Sequence, residues 1–362
     1  MNFRNPKITF WNKKKVIVTG HTGFKGSWLS YWLLQMGANI FGISLEPITS
    51  PNLFDELKLK QKLNHNIIDI TNQKLLEKLI SEVQPDIIFH MAAQPLVIES
   101  YIEPLKTWET NVMGTFNLLN SLKFIKNKCV CICITTDKVY KNNDQENYFK
   151  ETDPLGGYDP YSSSKAAAEI AIESFRSSFC GDANYQKNNL LIASVRSGNV
   201  IGGGDWSDNR IIPDLIRSII SNQVITIRNP NSIRPWQHVL DPLSGYLKLA
   251  EKLFESNNNI DLASAFNFGP NLDSNKKVID LVKKAENFWP ISWKTISSNQ
   301  EFHEARFLGL RIDKAKDLIN WKPRWNFDES VKRTFSWYKN YYLSPKKIEE
   351  YCKEDLENFL KS

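Results

Sequence analysis

The sequence contains no uninterrupted apolar run of about 18 residues, so it predicts no transmembrane helix. Its first residues also lack the apolar segment of a secretory signal peptide. Cysteine is scarce, with five residues in 362, and none has the CxxC spacing of a structural zinc site. Internal repeats and low-complexity segments are absent as well. We therefore expect no membrane insertion, no metal and no repeat architecture.

Three of the five cysteines lie in one short segment, 129–134. There they alternate with valine and isoleucine, which is typical of a buried strand. An odd number of cysteines, with three in a single strand, favours reduced thiols over disulfides. This pattern predicts a cytoplasmic protein.

The charge balance lacks a strong excess of either sign. Lysine and arginine total 46 and acidic residues total 40, and the net charge of +6 is spread along the chain. This distribution gives no reason to expect nucleic-acid binding, although it suits an anionic small molecule. With 362 residues, of which 41% are hydrophobic, the chain is expected to form a soluble globular protein of about two domains.

A glycine-rich turn follows the first β-branched run. The run covers 15–19, the turn GHTGFKG covers 20–26, and an apolar segment with helical spacing covers 28–36. A strand, a glycine turn and a helix in this order bind the pyrophosphate of a dinucleotide. We expect the cofactor contacts of this turn to come from Gly20, His21, Thr22, Gly23, Phe24, Lys25 and Gly26.

Two carboxylates are candidates for the adenosine end of the cofactor. Glu46 ends the second predicted strand, twenty residues after Gly26, where an acidic side chain usually binds the adenosine ribose. A carboxylate there accepts the free hydroxyl of NAD and repels the phosphate of NADP. The alternative is a solvated loop glutamate. Asp69 and Ile70, in a predicted strand at 67–70, are expected near the adenine.

Other cofactor contacts are expected in the middle of the domain. The predicted strand at 86–90 runs into Ala92, Ala93 and Gln94, and small residues there let a cofactor lie against the backbone. Asn111 lies near the start of a predicted helix at 107–124.

Polar side chains stand where the strand at 129–134 ends. Thr136, Asp137 and Lys138 follow it directly, and the carboxyl ends of parallel strands face the ligand crevice. A carboxyl and an amine at this place offer the acid and the base that an elimination needs. A simple capping turn is the alternative interpretation.

Tyr161 and Lys165 lie four residues apart in a predicted helix at 161–179. They therefore leave the same helix face one turn apart. An ammonium beside a phenol lowers the pKa of the phenol. A phenol that titrates near neutral pH takes a proton from an alcohol and returns it to a ketone. The alternative is the solvated face of an ordinary helix.

The alternation of strands and helices through residue 200 predicts an α/β fold, a Rossmann-type doubly wound parallel sheet. We expect an NAD-binding domain at 14–197, with a return segment at 240–268. A smaller mixed α/β substrate-binding lobe is expected at 198–345, and a charged tail, predicted as a solvated helix, at 346–362.

Arg210, Arg228 and Arg234 lie within one 25-residue stretch of the predicted lobe. Guanidinium groups match phosphate oxygens, so this stretch is expected to hold an anionic substrate. Scattered surface arginines are the alternative.

The TGxxGxxG turn, the Asn111 helix, the Thr-Asp strand end and the YxxxK pair together resemble the extended short-chain dehydrogenase/reductases that act on nucleotide sugars. Five longer segments are similar to the CDP-glucose 4,6-dehydratase branch of that family, and the likeness covers about 14–340. These segments are 20–29, 90–95, 156–162, 198–206 and 233–239. The GGGDW and RPWQHV stretches in the last two are the most specific.

The resemblance implies dehydration of CDP-D-glucose to CDP-4-keto-6-deoxy-D-glucose through internal hydride transfer by bound NAD, a step of deoxysugar and lipopolysaccharide O-antigen biosynthesis. It assigns Tyr161 to the 4-hydroxyl proton and Lys165 to the cofactor ribose. Thr136 binds the sugar oxygen and Asp137 protonates the leaving 6-hydroxyl. Lys138 stands where the dTDP-glucose enzymes carry a glutamate base, and an amine serves as base only when it is neutral.

The resemblance also implies assembly into a homodimer or homotetramer, through a four-helix bundle of the Asn111 and Tyr161 helices. Alanines at 166–168 favour close packing there. Two other functions stay open. One is an epimerase or dehydratase acting on another nucleotide sugar, and the other is a non-catalytic NAD-binding regulator on the same fold. The substrate contacts implied are Gln94, Asn199, Arg210, Arg228, Arg234, Trp236 and His238.

Overall fold

A computed structural model describes residues 5–143, 145–180, 190–256, 261–295 and 305–362. Residues 1–4, part of the segment expected to carry no signal peptide, lie outside these ranges. No helix within the ranges combines the length and the apolar character needed to cross a bilayer.

The described part of the chain alternates strands and helices. The strands are β1 (Lys15–Thr19), β2 (Asn39–Ser44), β3 (Asn64–Ile67), β4 (Ile87–His90), β5 (Cys129–Ile134), β6 (Leu190–Ser197), β7 (Val200–Ile201), β8 (Ile225–Ile227), β9 (Ile233–Pro235), β10 (Gln237–His238), β11 (Ala265–Phe268), β12 (Asn275–Lys277) and β13 (Trp293–Thr295). The helices are α1 (Ile8–Trp11), α2 (Phe24–Gln35), α3 (Leu53–Glu56), α4 (Gln73–Val83), α5 (Val97–Ile102), α6 (Pro104–Trp108), α7 (Gly114–Ser121), α8 (Pro160–Phe179), α9 (Ile211–Ile220), α10 (Leu240–Glu255), α11 (Val278–Glu286), α12 (Asp313–Ile319), α13 (Phe327–Leu343) and α14 (Ile348–Lys361).

One seven-stranded sheet organises the fold. Its order is β3-β2-β1-β4-β5-β6-β11, and every neighbouring pair is parallel. The order reverses direction between β1 and β4, which is the doubly wound arrangement with its ligand crevice at that point. The predicted α/β fold is therefore confirmed.

Both faces of this sheet are buried, and the strand sequences show why. Val16 and Val18 of β1 join the core cluster that contains α2 and α10. Ile17 faces the opposite way, into the cluster with α4, α7 and α8. The cysteines of β5 likewise point to one face and its Val130 to the other. A strand covered on both sides by helices needs apolar side chains at every position.

The third strand ends earlier than predicted. It covers Asn64–Ile67 rather than 67–70. Asp69 ends it, because its Oδ1 accepts hydrogen bonds from the backbone N–H and the hydroxyl of Thr71, both at 2.8 Å. Such a side-chain turn competes with the strand ladder. Asp69 and Ile70 consequently lie beyond the carboxyl end of β3.

The helix predicted at 107–124 begins earlier and is not uniform. It starts at Pro104 and contains a π-helical turn at Glu109–Met113 between α6 and α7. Asn111 lies inside this wide turn. π-Turns inside α-helices often mark functional positions because they turn side chains out of the regular helical sequence.

The chain after β6 builds a second group of small sheets. β7 pairs with β10, β8 with β13 and β9 with β12. The chain then returns, since α10 packs on the main sheet and β11 extends its edge. The helical part of the tail, α14, is not simply solvated, which corrects the expectation. Cys352, Leu356 and Phe359 form a buried face, and the Phe359 ring lies edge-on to Trp325 at 5.2 Å.

Candidate active site

A cavity of about 900 Å³ lies at the carboxyl ends of the central strands. Its wall is formed by residues that follow β1, β4, β5 and β6, together with segments of the second group of sheets. Most predicted site residues line it. They are Gly20, Thr22, Gly23, Phe24, Lys25, Gly26, Glu46, Asp69, Ile70, Ala92, Ala93, Thr136, Asp137, Lys138, Tyr161, Lys165, Asn199, Arg210, Arg228, Arg234 and Trp236.

The backbone of the glycine turn leaves no room for side chains at Gly20 and Gly26. Gly20 has a φ of +71°, and a Cβ there would lie 2.8 Å from the backbone nitrogen of Ala92. A Cβ at Gly26 would lie 2.1 Å from the carbonyl oxygen of Gly20. The loop after β4 and the first turn of α2 thus both approach the turn at backbone distance, a close approach that only glycine permits.

His21 belongs to this turn but does not line the cavity, contrary to the prediction. Its ring is turned toward β2, into space that Gly42 leaves open, and its Nε2 lies 2.7 Å from Nδ1 of His65. Burial lowers the pKa of His21 to about 4, and the neighbouring His65 adds to this effect. The pair ties the glycine turn to β3 as neutral imidazoles.

Gln94 and Asn111 do not line the cavity either, and their contacts with the ligands stay predictions. The Asn111 side chain accepts a hydrogen bond from the Gln94 N–H at 2.8 Å and donates one to the Ser164 hydroxyl at 2.9 Å. The Gln94 amide bonds Thr107 and the backbone of Leu96. These side chains connect the loop after β4 to α8 and so support the cavity wall from behind.

His238 is a core residue rather than a cavity residue. Its side chain is fully buried, and its ring lies 4.7 Å from the ring of Trp325. Burial lowers the pKa of His238 to about 3, and the charge of Arg333 adds to this. A neutral imidazole packed on tryptophan has no access to the cavity, which corrects the predicted substrate contact. Trp236, two residues earlier, does line it.

The predicted adenosine end of the cavity carries both carboxylates. Glu46 follows β2 and is exposed, and Asp69 follows β3. The Thr22 hydroxyl lies 2.7 Å from that of Ser44 and donates to the Leu45 carbonyl at 2.9 Å. These bonds fix the end of β2 against the glycine turn, next to Glu46.

Asp137 is the carboxyl group at the opposite end. It is 3% exposed, and its Oδ1 accepts a 3.1 Å hydrogen bond from the Thr136 hydroxyl. Its Oδ2 is buried without a hydrogen-bond partner among the described residues. Burial raises the pKa of Asp137, while the charges of Lys138, Arg234 and Lys25 oppose that rise. The site therefore holds a buried carboxyl group whose pKa is raised above its ordinary value.

Tyr161 and Lys165 stand in the first two turns of α8. Asp159 caps this helix by accepting the Ser162 N–H at 2.8 Å. The Lys165 ammonium donates to the carbonyl of Ile134, the last residue of β5, at 3.1 Å. The helix thereby holds the tyrosine and lysine against the strand end that carries Asp137.

The pKa predicted for Tyr161 is wrong in direction. Burial raises it to about 12, and the hydrogen bond with Thr136 and the charge of Arg210 only partly oppose this. Burial also lowers the pKa of Lys165 to about 8. Desolvation is the largest cause of both shifts, and it disfavours the charged form of each group.

The three predicted arginines line the cavity from the side of the second group of sheets. Arg210 is held by Asp205 at 3.0 Å, while Arg234 is 3% exposed and donates to the carbonyl of Ile233 at 2.9 Å. Arg228 is exposed. Their shared positive charge suits a ligand with phosphate groups.

Lys25 has a position that the sequence pattern does not reveal. Although it belongs to the glycine turn, its ammonium donates to the Ser197 hydroxyl at the end of β6, at 3.0 Å. Burial lowers the pKa of Lys25 to about 7, and the charge of Arg210 adds to this. The position of Lys25 beside Asp137 is set by its bond to the end of β6. No local sequence motif indicates where β6 ends.

Comparison with known proteins shows the family to which the chain belongs. The model of the GDP-mannose 4,6 dehydratase family matches residues 17–334. A Salmonella typhimurium protein named CDP-glucose 4,6-dehydratase is 46% identical over 332 residues, which are 91% of this chain and 92% of that protein. The chain belongs to the GDP-mannose 4,6 dehydratase family.

Solved structures show the family fold at lower identity. The dTDP-glucose 4,6-dehydratase of Bacillus anthracis, in complex with NAD, is 22% identical, with a TM-score of 0.73 over 90% of this chain and 97% of that one. The UDP-glucose 4-epimerase of Thermotoga maritima, with UDP-glucose, is also 22% identical, with a TM-score of 0.73 over 91% and 100%. Dehydratases and epimerases share this fold, so the chemistry must be argued from the site.

The glycine turn supplies a test of the cavity geometry. Gly26→Ala should lower the free energy of unfolding by about 3 kcal/mol, because its methyl group meets backbone that cannot move aside. Gly23→Ala is the matched control, since its φ of −78° and its nearest contact of 3.4 Å suit alanine. Urea unfolding of both variants measures the difference. Equal stabilities would contradict the close packing of the turn.

Proposed function

We propose that this protein is an NAD-dependent CDP-glucose 4,6-dehydratase, a hydro-lyase that forms CDP-4-keto-6-deoxy-D-glucose for deoxysugar biosynthesis in the cytoplasm. The observation that carries the proposal is the buried Asp137 beside the Tyr161 and Lys165 pair. A tyrosine and lysine alone serve oxidation of a sugar hydroxyl, whereas loss of the 6-hydroxyl as water also needs an acid.

The choice of a CDP-sugar is supported by the relative at 46% identity, which is named for that substrate. The cavity suits a nucleotide diphosphate, because three arginines line one side of it. The volume of about 900 Å³ lies at the upper end of the usual range for ligand pockets, so it accommodates large ligands.

The cavity also fits NAD. The cradle at Gly20 and Gly26 has no room for a Cβ, lines the cavity and leads into the N-terminus of α2, where a pyrophosphate is favoured. Glu46 and Asp69 offer carboxylates to the adenosine, and the small side chains of Ala92 and Ala93 leave the wall flat. When bound, NAD supplies an acceptor and later a donor of hydride, and its ring brings positive charge to the site.

Tyr161 is assigned to the proton of the sugar 4-hydroxyl. Its phenol is protonated at neutral pH in this structure, since burial raises its pKa to about 12. Positive charge from Lys165, Arg210 and the ligands opposes that effect and favours the phenolate. Thr136, which bonds the phenol, is placed to hold the same sugar oxygen.

Asp137 is assigned to the departing 6-hydroxyl. Burial raises its pKa, which is the direction that suits an acid, and the residue lines the cavity with no hydrogen-bond partner for Oδ2 in the described structure. A 4-keto group acidifies the hydrogen on C5. Two cavity lysines flank Asp137 as acceptors of that proton, Lys138 from the same turn and Lys25 from α2. The pKa of about 7 for Lys25 suits a base that works at neutral pH.

Epimerisation of another nucleotide sugar is the alternative. It is weaker, because inversion at C4 uses oxidation and reduction at one carbon and requires no acid for a leaving 6-hydroxyl. A buried carboxyl with a raised pKa has no task in that reaction. A non-catalytic role is weaker still, since the tyrosine, lysine and threonine all line the cavity.

Self-association is also proposed, through the helices α5 to α8. Their outer face carries several exposed apolar side chains, of which Leu105 is 72% and Ile170 is 59% exposed. Of the three alanines expected at this contact, Ala166 and Ala168 are buried within the subunit and Ala167 is half-buried. An apolar face of this kind is typical of a surface that pairs with a second copy.

Replacement of Asp137 should separate oxidation from elimination. Asp137→Asn keeps the size and a hydrogen-bond donor but cannot give up a proton, so dehydration should fall on the order of 10²–10⁴-fold. A 4-keto sugar that retains its 6-hydroxyl should then accumulate, as identified by mass after incubation with CDP-glucose. Tyr161→Phe should stop both steps, and Tyr158→Phe, with its side chain 76% exposed, is the control.

If Asp137→Asn dehydrates CDP-glucose at the normal rate, Asp137 is not the acid, and Lys138 or a bound water has that role. Full activity of Tyr161→Phe would contradict the assignment of the redox step. The product of a dehydratase is recognised by absorbance near 320 nm after treatment with base.

The cofactor preference tests Glu46. Repulsion between its carboxylate and a 2′-phosphate should make NAD bind more tightly than NADP. Glu46→Gln should reduce that preference roughly tenfold. Titration calorimetry with both nucleotides measures it. Glu82→Gln removes an exposed carboxylate of α4, outside the cavity, and serves as control. Equal affinities in the unaltered protein would show that Glu46 does not reach the ribose.

Assembly is tested by sedimentation at micromolar concentration. The protein should sediment as a dimer or tetramer, and a combined Leu105→Glu and Ile170→Glu variant as a monomer, because two buried charges per copy oppose pairing. Leu343→Glu is the control on a distant helix, since Leu343 is 73% exposed. A monomeric unaltered protein would contradict the proposal.

A further inference from the structure

A third side chain continues the series begun by Tyr161 and Lys165. Glu169 lies four residues after Lys165 on α8 and therefore on the same face of the helix. It is 3% exposed and does not line the cavity. A carboxylate so deeply buried is uncommon in proteins unless other groups pair with it.

Both oxygens of Glu169 are used. Oε1 accepts a hydrogen bond from the Thr135 hydroxyl at 2.5 Å, and Oε2 accepts one from the Ser194 hydroxyl at 2.7 Å. The guanidinium of Arg196 donates to Oε2 at 2.9 Å. Glu169 thus joins α8 to the ends of two neighbouring strands, β5 and β6.

These contacts lie next to the hydrogen bond that Lys165 donates to the end of β5. Lys165 holds the carbonyl of Ile134, and Glu169 holds the side chain of the next residue, Thr135. The two residues after that are Thr136 and Asp137. Two successive turns of α8 therefore fix the backbone immediately before the catalytic turn.

Among the charged groups around Lys165, Glu169 has the largest effect on the pKa of that lysine. Burial alone raises the pKa of Glu169, but the charge of Arg196 and the hydrogen bonds outweigh it, so its pKa lies below the usual value. The resulting carboxylate opposes the loss of the Lys165 proton that burial favours. Arg196 is itself held by the Tyr140 hydroxyl at 2.9 Å.

We infer that Glu169 is a positioning residue, which holds the Thr136–Asp137 turn against Tyr161 and sets its carboxylate one turn of α8 beyond Lys165. The inference rests on the proposed function for the roles of Tyr161, Lys165 and Asp137. A merely structural ion pair would stabilise the fold and leave the titration of Lys165 unchanged.

Glu169→Gln separates these roles, because glutamine keeps the length and one oxygen acceptor but removes the charge. Without the carboxylate, the Lys165 ammonium loses its stabilising partner, so Lys165 should release its proton at lower pH. The alkaline limb of kcat/KM for CDP-glucose should move down by on the order of one pH unit. Glu169→Asp restores the charge and should restore the limb. Glu173→Gln, an exposed glutamate one turn later, should leave it in place.

A second readout does not depend on activity. Trace acetylation with acetic anhydride across pH, followed by mass spectrometry of the peptide with Lys165, gives the titration of that amine in the protein alone. It should shift downward in Glu169→Gln and not in Glu173→Gln. This measurement stays valid if CDP-glucose proves not to be the substrate, so failure of the proposed function is distinguishable from failure of the inference.

Loss of the carboxylate leaves Arg196 buried with its charge uncompensated, which threatens folding. A variant with Glu169→Gln and Arg196→Gln removes both charges. Circular dichroism shows which of the two variants is folded, and the titration of Lys165 is measured in that variant. Because the carboxylate opposes deprotonation of Lys165 more strongly than Cys133 does, the downward shift is expected in either variant. An unchanged titration of Lys165 and an unmoved alkaline limb in the folded variant would overturn the inference.

Discussion

The site depends on the attachment of α8 to the carboxyl end of β5. The bond from the Lys165 ammonium to the Ile134 carbonyl, 3.1 Å long, joins the helix that carries Tyr161 to the strand that leads to Asp137. The local chain does not hold Tyr161 next to Asp137, because a long loop separates the two residues in sequence. Their distance is set by this contact, by the Glu169 bonds beside it and by the Asn111 bridge behind them.

Burial then determines the chemistry of the groups so attached. The same desolvation raises the pKa of Asp137 and of Tyr161 and lowers those of Lys165 and Lys25. It therefore favours neutral side chains throughout the cavity. Shifts of pKa caused by burial and by neighbouring charges in this way are typical of sites that transfer protons. Charged ligands change this balance when they bind, because positive charge near the phenol favours its ionised form.

Much of this arrangement was predictable from the sequence. The strand pattern gave the parallel sheet, and the glycine turn, Thr136, Asp137, Tyr161 and Lys165 all line the predicted cavity. Such motifs are local, so spacing reveals them. Motifs do not tell which way a side chain turns, however. His21 and His238 face the core because space beside Gly42 and Trp325 accepts them, and Lys25 reaches Ser197 across the sheet. The pKa of Tyr161 likewise depends on burial that spacing does not encode.

The proposed reaction is an internal transfer of hydride that ends in loss of water, and one labelled substrate tests it. CDP-glucose carrying deuterium at C4 is incubated with the protein and NAD, and the product is examined by mass spectrometry and NMR. We expect CDP-4-keto-6-deoxyglucose with the deuterium on C6. A product that keeps its 6-hydroxyl and carries deuterium on C4 with inverted configuration would identify an epimerase and rule out the dehydratase.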